Sequence, residues 1–203
     1  MLSILIPTYN YKVISLVKSL HKQLNKQSNP YEIICFDNGS DLDIIYINQN
    51  INKLDNCFYK SMEKNGGRSK IRNLLAQKAK YDWLLFLDAD VLPVTENFIQ
   101  TYFDSILQNN LKVAFGGLQY QEKPTNDRML RWVYGKYREE IPIEIRKKNP
   151  QEYFTSANFL IKKSVFQQFK FDESLIEYGY EDTLLAIELK KNNIQITQID
   201  NPV

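Results

Sequence analysis

Two carboxylates, Asp88 and Asp90, stand either side of Ala89 where the apolar run Trp83 to Leu87 gives out. Side chains two apart on an extended segment share a face. Read as one strand from Trp83 to Val91, the stretch therefore aims both acids at one spot. Carboxylates at the rim of a core repel unless a cation joins them, so Asp90 and Asp88 are candidate ligands for a divalent metal. An Asp at a strand's end also turns chains and caps helices. Here Pro93 already stops the strand, and Thr95 or Asn97 can open the next helix. A second acidic pair, Glu181 and Asp182, follows Tyr178-Gly179-Tyr180 just before a helix expected over Thr183 to Lys191. Capping is the ordinary duty of an acid at that place, but two adjacent acids behind a Gly-Tyr turn are less ordinary. Arg68, Lys70 and Arg72 crowd the start of a helix expected over Ser69 to Ala79, behind Asn65-Gly66-Gly67. A helix amino-terminus with nearby cations suits phosphate or the edge of a nucleotide.

These groups need elements to position them. Short apolar runs at Leu2 to Pro7, Tyr31 to Phe36, Cys57 to Met62 and Trp83 to Val91 read as buried strands. They alternate with helical patterns over Val13 to Leu24, Leu42 to Asn50, Ser69 to Ala79 and Thr95 to Gln108. Later strands are expected over Lys112 to Leu118, Tyr153 to Lys162 and Ile194 to Ile199, with a short helix capped by Ser164. Alternating strands and helices imply an α/β domain with a mostly parallel sheet. Parallel strands end on one side, so Thr8-Tyr9-Asn10, the turn Asp37 to Asp41 and the Asp88 segment converge on one crevice. The first of these loops lacks the glycines a dinucleotide pyrophosphate requires, although Tyr9 can offer a ring face to a base. Gln119 to Pro150, with Trp132, Tyr134 and Tyr137 and a helix expected over Met129 to Tyr137, is an excursion of the kind that carries binding. A surface helical hairpin with no ligand is its plainer reading.

The 203 residues carry a net charge of +2, with 43% apolar and 25% charged residues, which excludes an electrostatic case for nucleic-acid binding. No apolar run reaches the length of a membrane span, and Leu2 to Pro7 is too short for a signal peptide. A cytoplasmic protein is expected. Cys35 and Cys57 read as buried reduced thiols, and His21, within a Leu16, Leu20, Leu24 pattern, as a helix-surface residue. No zinc site is expected, and no repeat or linker divides the chain.

Six segments together resemble the GT-A fold glycosyltransferases and, within them, the inverting family 2: SILIPTYN (Ser3 to Asn10), FDNGSD (Phe36 to Asp41), NGGRSKIRN (Asn65 to Asn73), FLDADV (Phe86 to Val91), SANFLIKKSVF (Ser156 to Phe166) and GYEDTLLA (Gly179 to Ala186). The resemblance implies one GT-A domain over 1–203, with a nucleotide-sugar half (1–118) and an acceptor half (119–203). It implies a hexosyl- or N-acetylhexosaminyl-transferase that uses Mn²⁺ or Mg²⁺ to move a sugar from a nucleotide-diphospho-sugar to a glycan or lipid-linked glycan. Pro7, Thr8, Tyr9, Asp37, Asn38, Gly67, Arg68, Arg72, Asp88 and Ala89 would then line the donor. Asp90 and Asp88 would face the metal, and Asn158, Tyr180 and Trp132 the acceptor. Asp182 would be the general base with Glu181 beside it, and the single displacement would invert the anomeric centre. Trp132 and its neighbouring cations are also placed to touch a bilayer surface.

Two departures qualify the resemblance. Many relatives carry a second Asp where this chain has Asn38, and that acid accepts from N3 of uracil. An amide oxygen can do the same, so a UDP-sugar is still expected. Relatives also bring a third metal ligand, often His, downstream of the last strand, whereas this chain stops at Val203. Either the domain is shortened at its carboxyl end, or water and diphosphate complete the metal's shell; metal binding without donor is then expected to be weak. The alternative function is a catalytically silent nucleotide-sugar or glycan binding module. A nucleotidyltransferase on a similar fold would need a glycine-rich basic loop after the first strand, which Pro7-Thr8-Tyr9-Asn10 is not.

Overall fold

The computed structural model describes residues 1–108, 110–123, 129–175 and 179–203. Tyr178 of the Gly-Tyr turn and residues 124–128 of the excursion lie outside the described residues. In order the elements are β1 (Leu2–Thr8), α1 (Ile14–Leu24), β2 (Tyr31–Asp37), α2 (Leu42–Asn48) running into a 3-10 turn (Gln49–Lys53), β3 (Cys57–Ser61), α3 (Arg68–Lys78), β4 (Trp83–Leu87) and α4 (Phe98–Ile106). There follow β5 (Val113–Phe115), α5 (Met129–Arg138), α6 (Ile143–Arg146), β6 (Asn158–Lys162), α7 (Lys163–Gln168), α8 (Glu181–Lys191) and β7 (Ile196–Gln198).

All seven strands form one sheet in the order β3-β2-β1-β4-β6-β5-β7. β1, β2, β3 and β4 run parallel, and β6 alone is antiparallel to both its neighbours. The chain steps outward from β1 to β2 and β3, then returns to β1's other side as β4. A reversal of this kind opens a crevice at the carboxyl ends of the strands. Both faces of the sheet are covered. Leu2, Ile4, Ile6, Leu85 and Leu87 face one way, against Leu16 and Leu20 of α1 and Phe98 and Tyr102 of α4. Leu5, Leu84 and Phe86 face the other way, against Ile71 and Leu75 of α3 and Leu185 and Leu189 of α8. Burial on both faces is why these strands read as near-continuous apolar runs. Phe86 stacks on Phe159 at 4.7 Å between ring centroids, which locks β4 to β6.

Three expectations are corrected. β4 ends at Leu87, so Asp88, Ala89 and Asp90 form a turn beyond the strand and not its last extended residues. The acids are neighbours through that turn, which the Asp88 N–H fixes by donating to the Ala157 carbonyl at 3.1 Å. β6 starts only at Asn158, leaving Ser156 and Ala157 in the approach to it. α7 is capped at Lys162, with Ser164 already inside the helix.

Candidate active site

At the end of β1, Thr8 is buried and its hydroxyl donates to the Tyr11 carbonyl at 3.3 Å, Pro7 is half-buried, and Tyr9 is 52% exposed over the crevice. The Asn10 N–H donates to Ser40 Oγ at 2.7 Å, and Asn10 Oδ1 accepts from the Asp41 N–H at 2.8 Å. The first two loops are thus sewn together before any ligand arrives.

The Asp37 and Asn38 side chains are both hydrogen-bonded within the protein. Asp37 is fully buried; its carboxylate accepts from the Ser40 N–H at 2.7 Å and from the Tyr59 hydroxyl at 2.6 Å. Burial, together with this bond, pushes the Tyr59 hydroxyl well above its ordinary pKa. Asn38 spends its amide on the third loop, donating to Asn65 Oδ1 at 2.7 Å and accepting from the Gly66 N–H at 2.9 Å. The departure from Asp to Asn at this position therefore has a structural partner, because a carboxylate could not donate to Asn65. Gly39 is fixed by the same packing: φ is +85°, and a Cβ would lie 2.9 Å from the Asn65 nitrogen. Gly67 caps α3 with φ +91° and open space around it, so its requirement is conformational.

The charged groups converge on Arg72. This residue is 3% exposed in the first turns of α3, and its Nη2 lies 2.6 Å from Asp88 Oδ1. Its Nη1 lies 3.7 Å from Glu181 Oε1, and Arg68 Nη1 lies 3.5 Å from the same oxygen. The face of the guanidinium stands over the Phe171 ring, 5.6 Å from its centroid. Arg72 is a buried bridge between the Asp88 turn and the start of α8. Arg68, half-exposed at the mouth of α3, keeps an aspect toward the crevice.

Asp90 lies beyond Ala89 in the same turn. Its carboxyl is held above the ordinary range by desolvation first and by the Asp88 charge second, with Arg131 and Arg68 acting the other way. A cation placed between the two acids would relieve that repulsion. The two carboxylates supply hard oxygen donors that suit Mg²⁺ or Mn²⁺. Among the described residues no cluster of three or more His, Cys, Asp or Glu side chains forms a complete protein cage.

α8 starts at Glu181, so both acids occupy its first turn, behind Tyr180 at φ +68° and 78% exposed. Glu181 is 4% exposed. Asp182 accepts from the Thr183 N–H at 2.8 Å and the Ser156 N–H at 3.4 Å. Desolvation and then the Glu181 charge raise its pKa, against the pull of those two amides and of Arg72. A half-buried carboxylate with a raised pKa is suited to taking a proton.

On the acceptor side the expectations divide. Asn158 is fully buried, and both N–H groups of its amide are used: Oδ1 accepts from the Tyr102 hydroxyl at 2.6 Å, and Nδ2 donates to the Gly117 and Asn201 carbonyls, both at 2.9 Å. It ties β6 to α4 and to the segment after β7. Trp132, half-buried on α5, donates to the Gln121 carbonyl at 2.8 Å and lines an open cavity of about 690 Å³ with Gln119, Tyr120 and Lys136. α5 shows Leu130, Val133, Tyr134 and Tyr137 to solvent, an apolar stripe on one helical face. No helix among the described residues is long and apolar enough to cross a membrane. Sequence reasoning missed Arg146. It is buried, with Nε donating to the Ile141 carbonyl at 3.0 Å, Nη1 to Gln198 Oε1 at 2.5 Å and Nη2 to the Ile199 carbonyl at 3.0 Å. It pins α6 to the far edge of the sheet. Nothing local in Ile143-Glu144-Ile145-Arg146 signals this, because all its partners but the Ile141 carbonyl come from β5, β7 and the residues just after them.

Comparison with known proteins agrees with the fold. The model of glycosyl transferase family 2 matches residues 3–170. A chondroitin synthase of Pasteurella multocida is 32% identical over 121 residues, which cover 59% of this chain and 12% of that protein. A chondroitin synthase of Escherichia coli is 24% identical over 98% of this chain and 33% of its own length. The chain therefore spans a third or less of these relatives. The structure of S. aureus TarS 1-349 in complex with UDP-GlcNAc superposes over all of this chain and 58% of that one, with TM-score 0.70 and 21% identity. The mannosyltransferase PcManGT of Pyrobaculum calidifontis, in complex with GDP-Man and Mn²⁺, covers all of this chain and 56% of its own at TM-score 0.68 and 11% identity. With most of its length matched by the family model, and with a seven-stranded sheet bearing its acids at the strand ends, the chain belongs to glycosyl transferase family 2 and has the GT-A fold.

Proposed function

We propose that this chain is the catalytic unit of a metal-dependent, inverting glycosyltransferase that moves a sugar from a nucleotide-diphospho-sugar to a glycan acceptor. The observation that carries the reading is the meeting of two acidic pairs around one guanidinium: Asp88, from the turn that also holds Asp90, and Glu181, beside Asp182, both pair with Arg72. One pair suits the leaving diphosphate and the other the attacking hydroxyl. Asp90 and the free oxygen of Asp88 would hold Mn²⁺ or Mg²⁺. Such an ion neutralises charge that grows on a departing diphosphate. Tyr9 would cover the base, and Arg68, at the amino-terminus of α3, would face a phosphate. Asp182 would accept the proton of the acceptor hydroxyl as the hydroxyl attacks the anomeric carbon, a contribution of typically ~10²–10⁴-fold. One base opposite one leaving group gives a single displacement, hence inversion.

The matches to chondroitin and hyaluronan synthases and to a UDP-GlcNAc complex support a UDP-sugar donor and a polysaccharide or glycan acceptor. The Trp132 cavity and Tyr180 would meet that acceptor, and the apolar stripe of α5 is suited to a lipid-linked one. The test is NMR assignment of the product anomer after incubation with UDP-sugars, Mn²⁺ and glycan oligosaccharides. An anomeric configuration opposite to the donor's is expected, and retention refutes the single displacement. A donor that binds tightly yet is never turned over, with any acceptor, identifies a silent binding module instead.

A further inference from the structure

The guanidinium of Arg72 is shared unequally. Its contact with Asp88 at 2.6 Å is a short charge-assisted hydrogen bond, whereas the Glu181 oxygen stands off at 3.7 Å, beyond hydrogen-bond range. The rest of its hydrogen-bonding capacity is lightly used. Nη1 reaches the Arg68 carbonyl at 3.5 Å, and Nε, though buried, has no partner among the described residues. Phe171 packs under its face, which fixes the plane of the group but not its rotation within that plane. Glu181 and Asp182 are consecutive in the first turn of α8, so any pull on the first carboxylate is felt at the second.

We propose that Arg72 is a positioning residue that couples the two halves of the site: loss of negative charge at Asp88 releases the guanidinium toward Glu181, and this sets Asp182 for proton transfer. The inference rests on the proposed roles of Asp88 and Asp182. A cation that draws on Asp88 weakens the 2.6 Å bond, and Arg72 closes the gap to Glu181. Glu181 then repels Asp182 less, and the base becomes aligned and ionised only when the donor's metal is in place. By linkage the effect is reciprocal. The charged groups facing Asp182 are Glu181 on its own helix and Arg72 on α3, with Arg68 on α3 reaching Glu181 and Asp88 reaching it through Arg72.

The test is a double-mutant cycle read without substrate, so that its failure is distinguishable from failure of the functional proposal. The ionisation of Asp182 is followed by carbon-13 NMR of its carboxyl and through the amide of Thr183, which it holds at 2.8 Å. Asp88→Asn mimics the loss of charge. It is expected to lower the Asp182 midpoint in the wild-type background and to do so much less when Arg72→Gln is also present. Glu181→Gln is expected to lower the midpoint in its own right, and Arg72→Gln alone to raise it. Equal shifts from Asp88→Asn with and without Arg72 mean that the acids interact directly through space, and that overturns the proposal. Should Arg72→Gln fail to fold, Arg72→Lys carries the cycle: a point charge cannot bridge two carboxylates, so the coupling shrinks, and undiminished coupling is equally fatal. Addition of UDP with Mn²⁺ to the wild type should reproduce the Asp88→Asn shift. Absence of any UDP response with an intact cycle counts against the donor reading alone.

Discussion

Asn158→Ala separates an acceptor contact from a structural tie. The wild-type amide accepts from the Tyr102 hydroxyl at 2.6 Å and donates to two carbonyls at 2.9 Å, all in a site with no exposure. Each bond contributes about 0.5–1.5 kcal/mol net, and orphaned buried partners cost more than bonds simply lost. Burial already holds the Tyr102 hydroxyl far above its ordinary pKa, so that group cannot escape by ionising. The expected loss is therefore about 2–4 kcal/mol. For a domain of this size about 1 kcal/mol moves Tm by ~2–4 °C, which makes the shift ~4–16 °C by circular dichroism. UDP binding at low temperature, where the variant is still folded, should stay within a few-fold of wild type. An unchanged Tm with a raised acceptor KM would refute this reasoning and return Asn158 to the acceptor.

Three further outcomes follow from the site. Asp182→Asn should lose ~10²–10⁴-fold in turnover while still binding UDP with Mn²⁺. In the wild type, kcat/KM should rise with pH through a midpoint above the ordinary carboxylate range, because the base must be ionised and burial raises its pKa; a profile with no midpoint above that range contradicts the assignment. Asp90 also has a raised folded-state pKa, so its contribution to stability is present at low pH and lost as pH rises through that pKa. Asp90→Asn should accordingly raise the Tm of the ligand-free protein at neutral pH and abolish any Mn²⁺-dependent stabilisation by UDP, both read in one thermal-shift series. Burial lifts the Cys57 thiol to about 12 and Cys35 well above its ordinary value. Both should resist alkylation until the domain unfolds, and rapid labelling of the native protein would show the packing around β2 and β3 to be looser than described.

What the sequence makes legible is what is local. β1, β2 and β3 are found to within a residue: β1 and β2 because strands buried on both faces must be apolar nearly throughout, and β3 because its buried and exposed residues alternate. The acids at 88, 90, 181 and 182 stand out by type and spacing, although Asp88 and Asp90 meet through a turn and not through strand alternation. What the sequence hides is the partner each polar side chain finds. Asp37 and Asn38 look free at a strand's end, and only the fold brings Tyr59 and Asn65 to consume them. Asn158 is taken up by Tyr102, Gly117 and Asn201, and Arg146 by Gln198 and Ile199, none of them near in sequence. A polar side chain advertises what it can bond, and the pattern of apolar residues says nothing about which partner takes it.

Calorimetric titration of UDP, with and without Mn²⁺, on the wild type, Asp90→Asn and Asp182→Asn tests the central claim most directly. A metal-held donor at the Asp88-Ala89-Asp90 turn, separate from a base on α8, predicts Mn²⁺-dependent binding to the wild type and to Asp182→Asn, and loss of that binding in Asp90→Asn. Equal affinity with and without metal, or binding that fails in Asp182→Asn while surviving in Asp90→Asn, would contradict it.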